Sequence, residues 1–195
     1  MGFIAKLSRR IGDDLVRSSV VKAEDAEIYI YGINQILLSI LNISSALIIG
    51  MIFGVFLEVA VFMVAYIPLR TFAGGYHAKT PLRCYMLSVI MLTVVSLGLK
   101  YLSLTEWVYY AVDVLAIIMI CIFSPVEDKN KPLDEIECKV YKKRAVLIVI
   151  AEFLISFALK LANMDNLFVA VIYSFGTLSA MLIAGKINNS RLFDD

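Results

Sequence analysis

The sequence predicts an all-α, polytopic membrane bundle: about six membrane segments, preceded by an amphipathic helix at the interface. Three observations predict it. Apolar residues fill 61% of the 195 positions, against about 45–50% in soluble domains, and the mean hydropathy is +0.83. The apolar residues gather in runs long enough to cross a bilayer core. All but Lys100 and Lys160 of the 18 Lys and Arg residues then fall in segments that six spans place on one side. Excess Lys and Arg marks the cytoplasmic side, so both termini are expected there.

Residues 1–33 read as an N-terminal amphipathic segment. Phe3, Ile4, Leu7, Ile11 and Leu15 follow helical spacing, with Lys6, Arg9, Arg10, Asp13 and Arg17 elsewhere on the wheel. Such a helix lies on the membrane surface or packs on cytosolic loops. A second helix over Ala23–Tyr31 leads into the membrane. Residues 34–186 form the membrane domain. Ile33–Leu69 is apolar except for Glu58 and, as one helix, would be about 55 Å long, nearly twice a bilayer core. It is therefore split into spans 34–50 and 54–69, turning near Gly50 and Gly54. One span in place of two would invert every later side, and the charge asymmetry would largely vanish. Further spans are expected at 85–103, 107–123, 145–161 and 166–184, with a cytoplasmic tail at 187–195. In the polar loop 124–144, Pro125 ends a helix and Pro132 favours a turn. Residues 134–144 carry acid first and base last, as suits a helix dipole.

A net charge of +1, with no basic tract interleaved with aromatics, excludes a nucleic-acid partner. Three irregularly spaced cysteines, Cys84, Cys121 and Cys138, form no disulfide framework. The first apolar residues are broken by charges and match no cleavable signal peptide, so the membrane segments are expected to direct insertion.

One polar island, residues 70–84, interrupts the apolar chain. It holds the only histidine, His77, and ends at Cys84. Thr80 suits a helix cap and Pro81 the first helical position, which puts Cys84 in the first turn of a helix at the membrane surface. The positive helix end and adjacent Arg83 favour the anionic, nucleophilic form of a thiol there, while interfacial burial opposes it. His77 is the one imidazole available to take the thiol proton. A cysteine activated by a histidine is the minimal apparatus of a thiol protease. Gly74 and Gly75 allow backbone geometry closed to other residues. They would aim N–H groups at an oxyanion, admit a peptide, or simply make a turn. A metal site from His77, Cys84 and Cys138 lacks a close ligand pair and a fourth ligand, so no metal or cofactor is expected. Cys121, inside an apolar run, reads as packing.

The string Arg70, Ala73-Gly74-Gly75-Tyr76-His77-Ala78, Cys84 resembles the signature of the accessory gene regulator protein B family. These are bacterial membrane endopeptidases that process quorum-sensing pheromone precursors. The resemblance extends to the N-terminal polar segment, the roughly six apolar segments and the basic loop with Lys131-Pro132. It implies that His77 and Cys84 are catalytic. It also implies an AgrD-like precursor peptide as substrate, cut near its C-terminus through an acyl-thioester and cyclised to a thiolactone or lactone. The bilayer is the other expected partner, and a homodimer is left open.

Supporting residues have alternative readings. Arg70 either binds an acidic precursor tail or is a positive-inside anchor. Glu58, expected mid-membrane where a carboxyl group is costly, either orients His77, pairs with Arg70 or sits protonated in the bundle. Lys129 and Lys131 either recruit an acidic tail or mark topology. Asp113 also falls within a span, with no partner evident. Two other functions compete with the endopeptidase: a peptide transporter or exporter without proteolytic chemistry, and a structural or signalling membrane subunit. No nucleotide-binding loop is present for an energised exporter.

Overall fold

The computed structural model describes residues 2–76, 78, 80–127 and 133–190. Among them are seven α-helices, α1 Gly2–Arg17, α2 Ala26–Phe53, α3 Phe56–Ala73, α4 Pro81–Tyr101, α5 Glu106–Phe123, α6 Glu135–Leu161 and α7 Asp165–Ser190. Extended pairing among these residues is confined to an isolated parallel bridge between Gly74 and Val126.

Helix boundaries follow local chemistry. The Ile33–Leu69 run does divide, and Gly54 divides it: α2 continues to Phe53, and Gly54 caps it at φ 71°, a left-handed conformation that glycine adopts at least cost. The second N-terminal helix leads on into the membrane segment as expected. After a 3₁₀ turn at Ala23–Asp25 it belongs to α2. Gly50 lets α3 cross close by, since a Cβ there would stand 3.1 Å from Val59 Cβ. α4 starts as predicted, with Pro81 at the first position and the Thr80 hydroxyl accepting from Arg83 N at 3.3 Å. α6 opens with a capping box between Asp134 and Glu137.

α7 packs against α3, α5 and α6, and α2 carries α1, α3 and α4. The core lies where α3 meets α7, with Val59, Phe62, Leu69, Phe175, Leu178 and Leu182 fully buried. Large apolar side chains such as Ile40, Val64, Val94, Leu115 and Leu154 point outward, as lipid-facing residues of a membrane bundle do. Five helices, α2, α3, α4, α5 and α7, are long and apolar enough to cross a membrane. The sixth expected span, in α6, is less apolar than the others. Its last 18 residues still hold Arg144, Glu152 and Lys160.

α1 is strongly amphipathic and closes onto the start of α2. Ser8 and Gly12 are buried on the contact face, Gly12 sits against Ile30, and Arg9 lies 3.8 Å from Glu27. Phe3 is left exposed.

The helices alternate in direction, giving the bundle two ends. One gathers Arg70, Gly74, Val126, Met181 and Asn189. The other gathers Glu58, Glu106, Lys160, Asp165 and Asn166. Lys100 and Lys160 both close helices at the second end.

Candidate active site

The island is a backbone loop clamped from three directions. Arg70, in the last turn of α3, donates from Nη1 to the Gly74 carbonyl and from Nη2 to the Tyr76 carbonyl. Val126 N donates to Ala73 O and Tyr76 N to Met181 O, each at 2.9 Å. Gly74 and Gly75 stand at φ 75° and 127°. A Cβ at Gly74 would strike the Val126 carbonyl, and one at Gly75 the Arg70 guanidinium. A Cβ at Gly185 of α7 would lie 2.7 Å from Tyr76 N. These three glycines let loop, connector and helix stack backbone on backbone.

This arrangement settles the geometry of Arg70: its fork is spent on two carbonyls of its own chain, the planar recognition that guanidinium favours. It also accounts for the glycine pair. Two of the three amides at 74–76 are already bonded, Gly74 N to Arg70 O and Tyr76 N to Met181 O.

Cys84 is a free, half-buried thiol in the first turn of α4. Its amide donates to Thr80 O at 3.0 Å, and its carbonyl accepts from Ser88 Oγ at 3.1 Å. The next residue, Tyr85, shares a 2.9 Å hydrogen bond with Ser45 of α2. Ser45 is eight residues from the Phe53 end of α2, so this turn lies beside the second half of α2, about 12 Å along the helix from that end. The neighbours Pro81, Leu82 and Arg83 are exposed, and Cys84 itself is half-buried. Tyr66 of α3, ten residues from Phe56, is at a matching level, about 15 Å along its helix. His77 and Lys79 lie outside the described residues.

Beside the loop is a cavity of about 470 Å³, within the usual range of ligand sites. α2 contributes Gln35 and Ser39, and α3 contributes Tyr66, Ile67, Arg70 and Thr71. Pro125–Glu127, Leu133 and Tyr141 close the far wall. The start of α6 is held to the end of α3 by aromatic contacts. Phe72 meets Tyr141 edge-on at 5.7 Å, and Arg144 stacks over Phe72 at 5.3 Å.

Glu58 corrects an expectation. It is in the first turn of α3, not mid-membrane, and accepts from Asn166 Nδ2 at 3.3 Å. Twelve residues, about 18 Å along the helix, separate it from Arg70, so the two do not pair. The physical reason is the helix start at Phe56, which puts the carboxylate at the positive end of the α3 dipole. Lys129 and Lys131 lie outside the described residues. Lys139, Lys142 and Lys143 beyond them are exposed on α6. Asp113 is buried in α5 with Oδ1 unpartnered. Glu152, which sequence reasoning passed over, is buried in α6 with Oε2 likewise unpartnered. Cys138 donates to Glu127 Oε1 at 3.6 Å. Among the described residues no group of three or more His, Cys, Asp or Glu could hold a metal ion.

Sequence reasoning missed Tyr66, Val126 and Gly185. Only Tyr66 left a signal: it precedes Arg70 by one helical turn and so shares its face.

A family model described as accessory gene regulator B matches residues 6–184. An AgrB-like protein of Clostridium perfringens is 25% identical over 158 residues, covering 77% of this chain and 74% of its own. An AgrB-like protein of Listeria welshimeri is 22% identical over 196 residues and covers 96% of both chains. An accessory gene regulator protein B of Staphylococcus carnosus is 27% identical over 112 residues, 57% of this chain and 59% of its own. No solved structure matches the chain.

Proposed function

The chain belongs to the accessory gene regulator B family, and on that premise we propose that it is a membrane cysteine endopeptidase of the agr quorum-sensing system, acting on an AgrD-like precursor peptide. Family membership supports the role in the agr system. The chemistry rests on one observation above others. Cys84 stands half-buried in a capped first helical turn, and the loop backbone immediately before His77 in the sequence is fixed.

In this reading Cys84 is the nucleophile and His77 the general base. The Cys84 sulfur attacks a precursor carbonyl, and His77 takes the thiol proton. Collapse of the tetrahedral adduct breaks the C–N bond, and His77 returns the proton to the leaving amine. The precursor's N-terminal part remains as a thioester on Cys84. A thiol or hydroxyl within that part then attacks the thioester carbonyl, releasing Cys84 and closing a thiolactone or lactone ring. A thioester held at a half-buried sulfur in a membrane bundle is partly shielded from water, which limits hydrolysis. The excess of basic residues at the Arg70 end supports placing that end, the two termini and the His77–Cys84 loop on the cytoplasmic side, where a newly made precursor arrives.

The test is co-expression with the precursor and mass analysis of the products. Cys84→Ala is expected to insert normally and leave the precursor uncut. Full cleavage by that variant would end the proposal.

A further inference from the structure

α2 is apolar over most of its length, yet one of its faces is not. Gln35, Ser39 and Asn42 follow one another at spacings of four and three residues, which stacks them on a single helical face. That face is turned toward α3. Gln35 and Ser39 line the cavity of about 470 Å³ together with Ile67, Arg70 and Thr71 of α3. Four residues beyond Asn42, Ala46 is fully buried, and a Cβ on Gly50 would stand 3.1 Å from Val59 Cβ. Asn42 therefore sits between the cavity and the packed core, one turn past Ser39.

The Asn42 carboxamide is only half satisfied. Its Nδ2 donates to Leu38 O at 2.9 Å, and since only the nitrogen can donate to a carbonyl, this contact fixes which end is which. Oδ1 is buried and has no hydrogen-bond partner among the described residues. A buried carboxamide oxygen without a donor is costly. Gln35 and Ser39, exposed in the cavity wall, add a second carboxamide and a hydroxyl. The charged groups of the cavity are engaged elsewhere, Arg70 with the Gly74 and Tyr76 carbonyls and Glu127 with the Cys138 thiol. What the α2 face offers is neutral and both donor and acceptor, the complement of a peptide backbone. It also leads toward the nucleophile. Ser45, three residues past Asn42, shares a 2.9 Å hydrogen bond with Tyr85, the residue after Cys84. Gln35 to Ser45 is about 15 Å of helix, the length of about four or five residues of extended peptide.

We propose that this face of α2 binds an extended segment of the precursor adjoining its scissile bond, with Asn42 Oδ1 accepting a backbone N–H and Gln35 and Ser39 holding peptide groups farther from Cys84. This rests on the endopeptidase reading and gives α2 a part in it. Asn42 touches the peptide but no reacting atom, so its role is binding. Because its partner is backbone, the face is indifferent to most precursor side chains. It fixes instead the distance between the bound amide and the carbonyl presented to Cys84, and so which bond is cut.

The experiment uses the full chain in vesicles with a synthetic AgrD-like precursor. A companion set of the same peptide has single backbone amides near the cleaved bond replaced by esters, removing one N–H at a time. Asn42→Leu keeps the volume and strands no group, because Leu38 O retains its helical N–H partner. Its KM is expected to rise about 3- to 10-fold, the effect of losing one hydrogen bond of ordinary strength. Its kcat and the rate of Cys84 alkylation should hold. One ester should raise the wild-type KM by a like factor and leave that of Asn42→Leu unchanged, since the bond it removes is already gone. Gln35→Met, at an exposed position, should raise KM about 2- to 5-fold. A wild-type KM in Asn42→Leu would mean that water serves Oδ1, and would overturn the proposal. So would ester and Asn42→Leu losses that multiply at every position, or a fall in kcat that parallels slowed alkylation. Should Asn42→Leu fail to insert, an unchanged KM in Gln35→Met overturns it alone. The endopeptidase reading fails separately, when Cys84→Ala still cleaves. Precursor binding to that variant should weaken on adding Asn42→Leu by the same factor as KM rises.

Discussion

The two ends of the bundle are closed by different chemistry. At the Glu58 end, side-chain charges do the work. Lys160 Nζ reaches Glu106 at 2.7 Å and Asp165 at 2.8 Å, and its ammonium lies 5.7 Å from the centre of the Phe168 ring. These contacts tie α5, α6 and α7 together through flexible groups. At the Arg70 end the closure is mostly backbone on backbone. Gly74 meets Val126, Tyr76 meets Met181, and the charged clamp Arg70 grips carbonyls. Side-chain closure tolerates small shifts, whereas backbone closure fixes the loop path next to the proposed nucleophile. Only the second suits chemistry that loses efficiency with small misplacement. The cavity of about 470 Å³ at that end is what the stacking leaves open.

The sharpest way to break this contrast is to replace the clamp. Arg70→Lys keeps the charge and loses the fork, so one of the two carbonyls at Gly74 and Tyr76 goes unpartnered. Cleavage should fall about 10- to 100-fold, matching about 1.5–3 kcal/mol for a charge-assisted hydrogen bond, while insertion is retained. Were Arg70 instead a receptor for an acidic precursor tail, neutralising that tail would erase the difference between Arg70→Lys and wild type. Assays with tail-neutralised precursor therefore separate the two roles. The loop reading expects the defect to persist.

The second test moves to the other end. Lys160→Met should lower the midpoint of thermal unfolding and reduce its dependence on salt, because Glu106 and Asp165 lose their common partner. The cleavage rate per folded molecule should hold. A large loss of rate at unchanged stability would mean that the Glu58 end is coupled to the chemistry and that the division between the ends is wrong.

What was legible in the sequence divides along similar lines. Local signals were readable. Thr80-Pro81 announced the start of α4, Gly54 the turn between α2 and α3, and the acid-to-base gradient after Asp134 the direction of α6. Each depends only on neighbours within one helical turn. Glu58 was misplaced because its depth depends on where α3 begins, and Glu58 itself is part of that signal. The role of Arg70 was hidden for another reason. Its partners are carbonyls, which have no residue identity and leave no trace in composition. Cys84 was readable as a first-turn residue from Thr80-Pro81, but the packing of α4 on α2 through Ser45–Tyr85, 40 residues apart, left no local signal. Tyr66 shared the face of Arg70, but nothing local distinguishes a cavity-lining tyrosine from a core one.

The smallest expected effect returns to the Arg70 end and to its second half-buried thiol. Cys138 donates to Glu127 Oε1, and its pKa is raised above the ordinary thiol value. Desolvation is the first cause, then the hydrogen bond to Glu127 and the negative charges of Glu127, Asp134 and Glu137. A raised value means that the neutral thiol is preferred, so at neutral pH the reactive thiolate is scarcer than in a free cysteine. Alkylation of Cys138 should therefore be slow and climb only above the pH at which ordinary thiols ionise. Glu127→Gln removes one negative charge and weakens the acceptor, both of which favour the thiolate, so labelling should quicken by a few-fold at neutral pH. The same substitution leaves the Asn189 bond to the Glu127 carbonyl in place, and with it the backbone closure. Cleavage should change little. If Glu127→Gln slowed cleavage as strongly as Arg70→Lys, the cavity wall would be reading substrate charge, and the backbone clamp would not be the main determinant at this end.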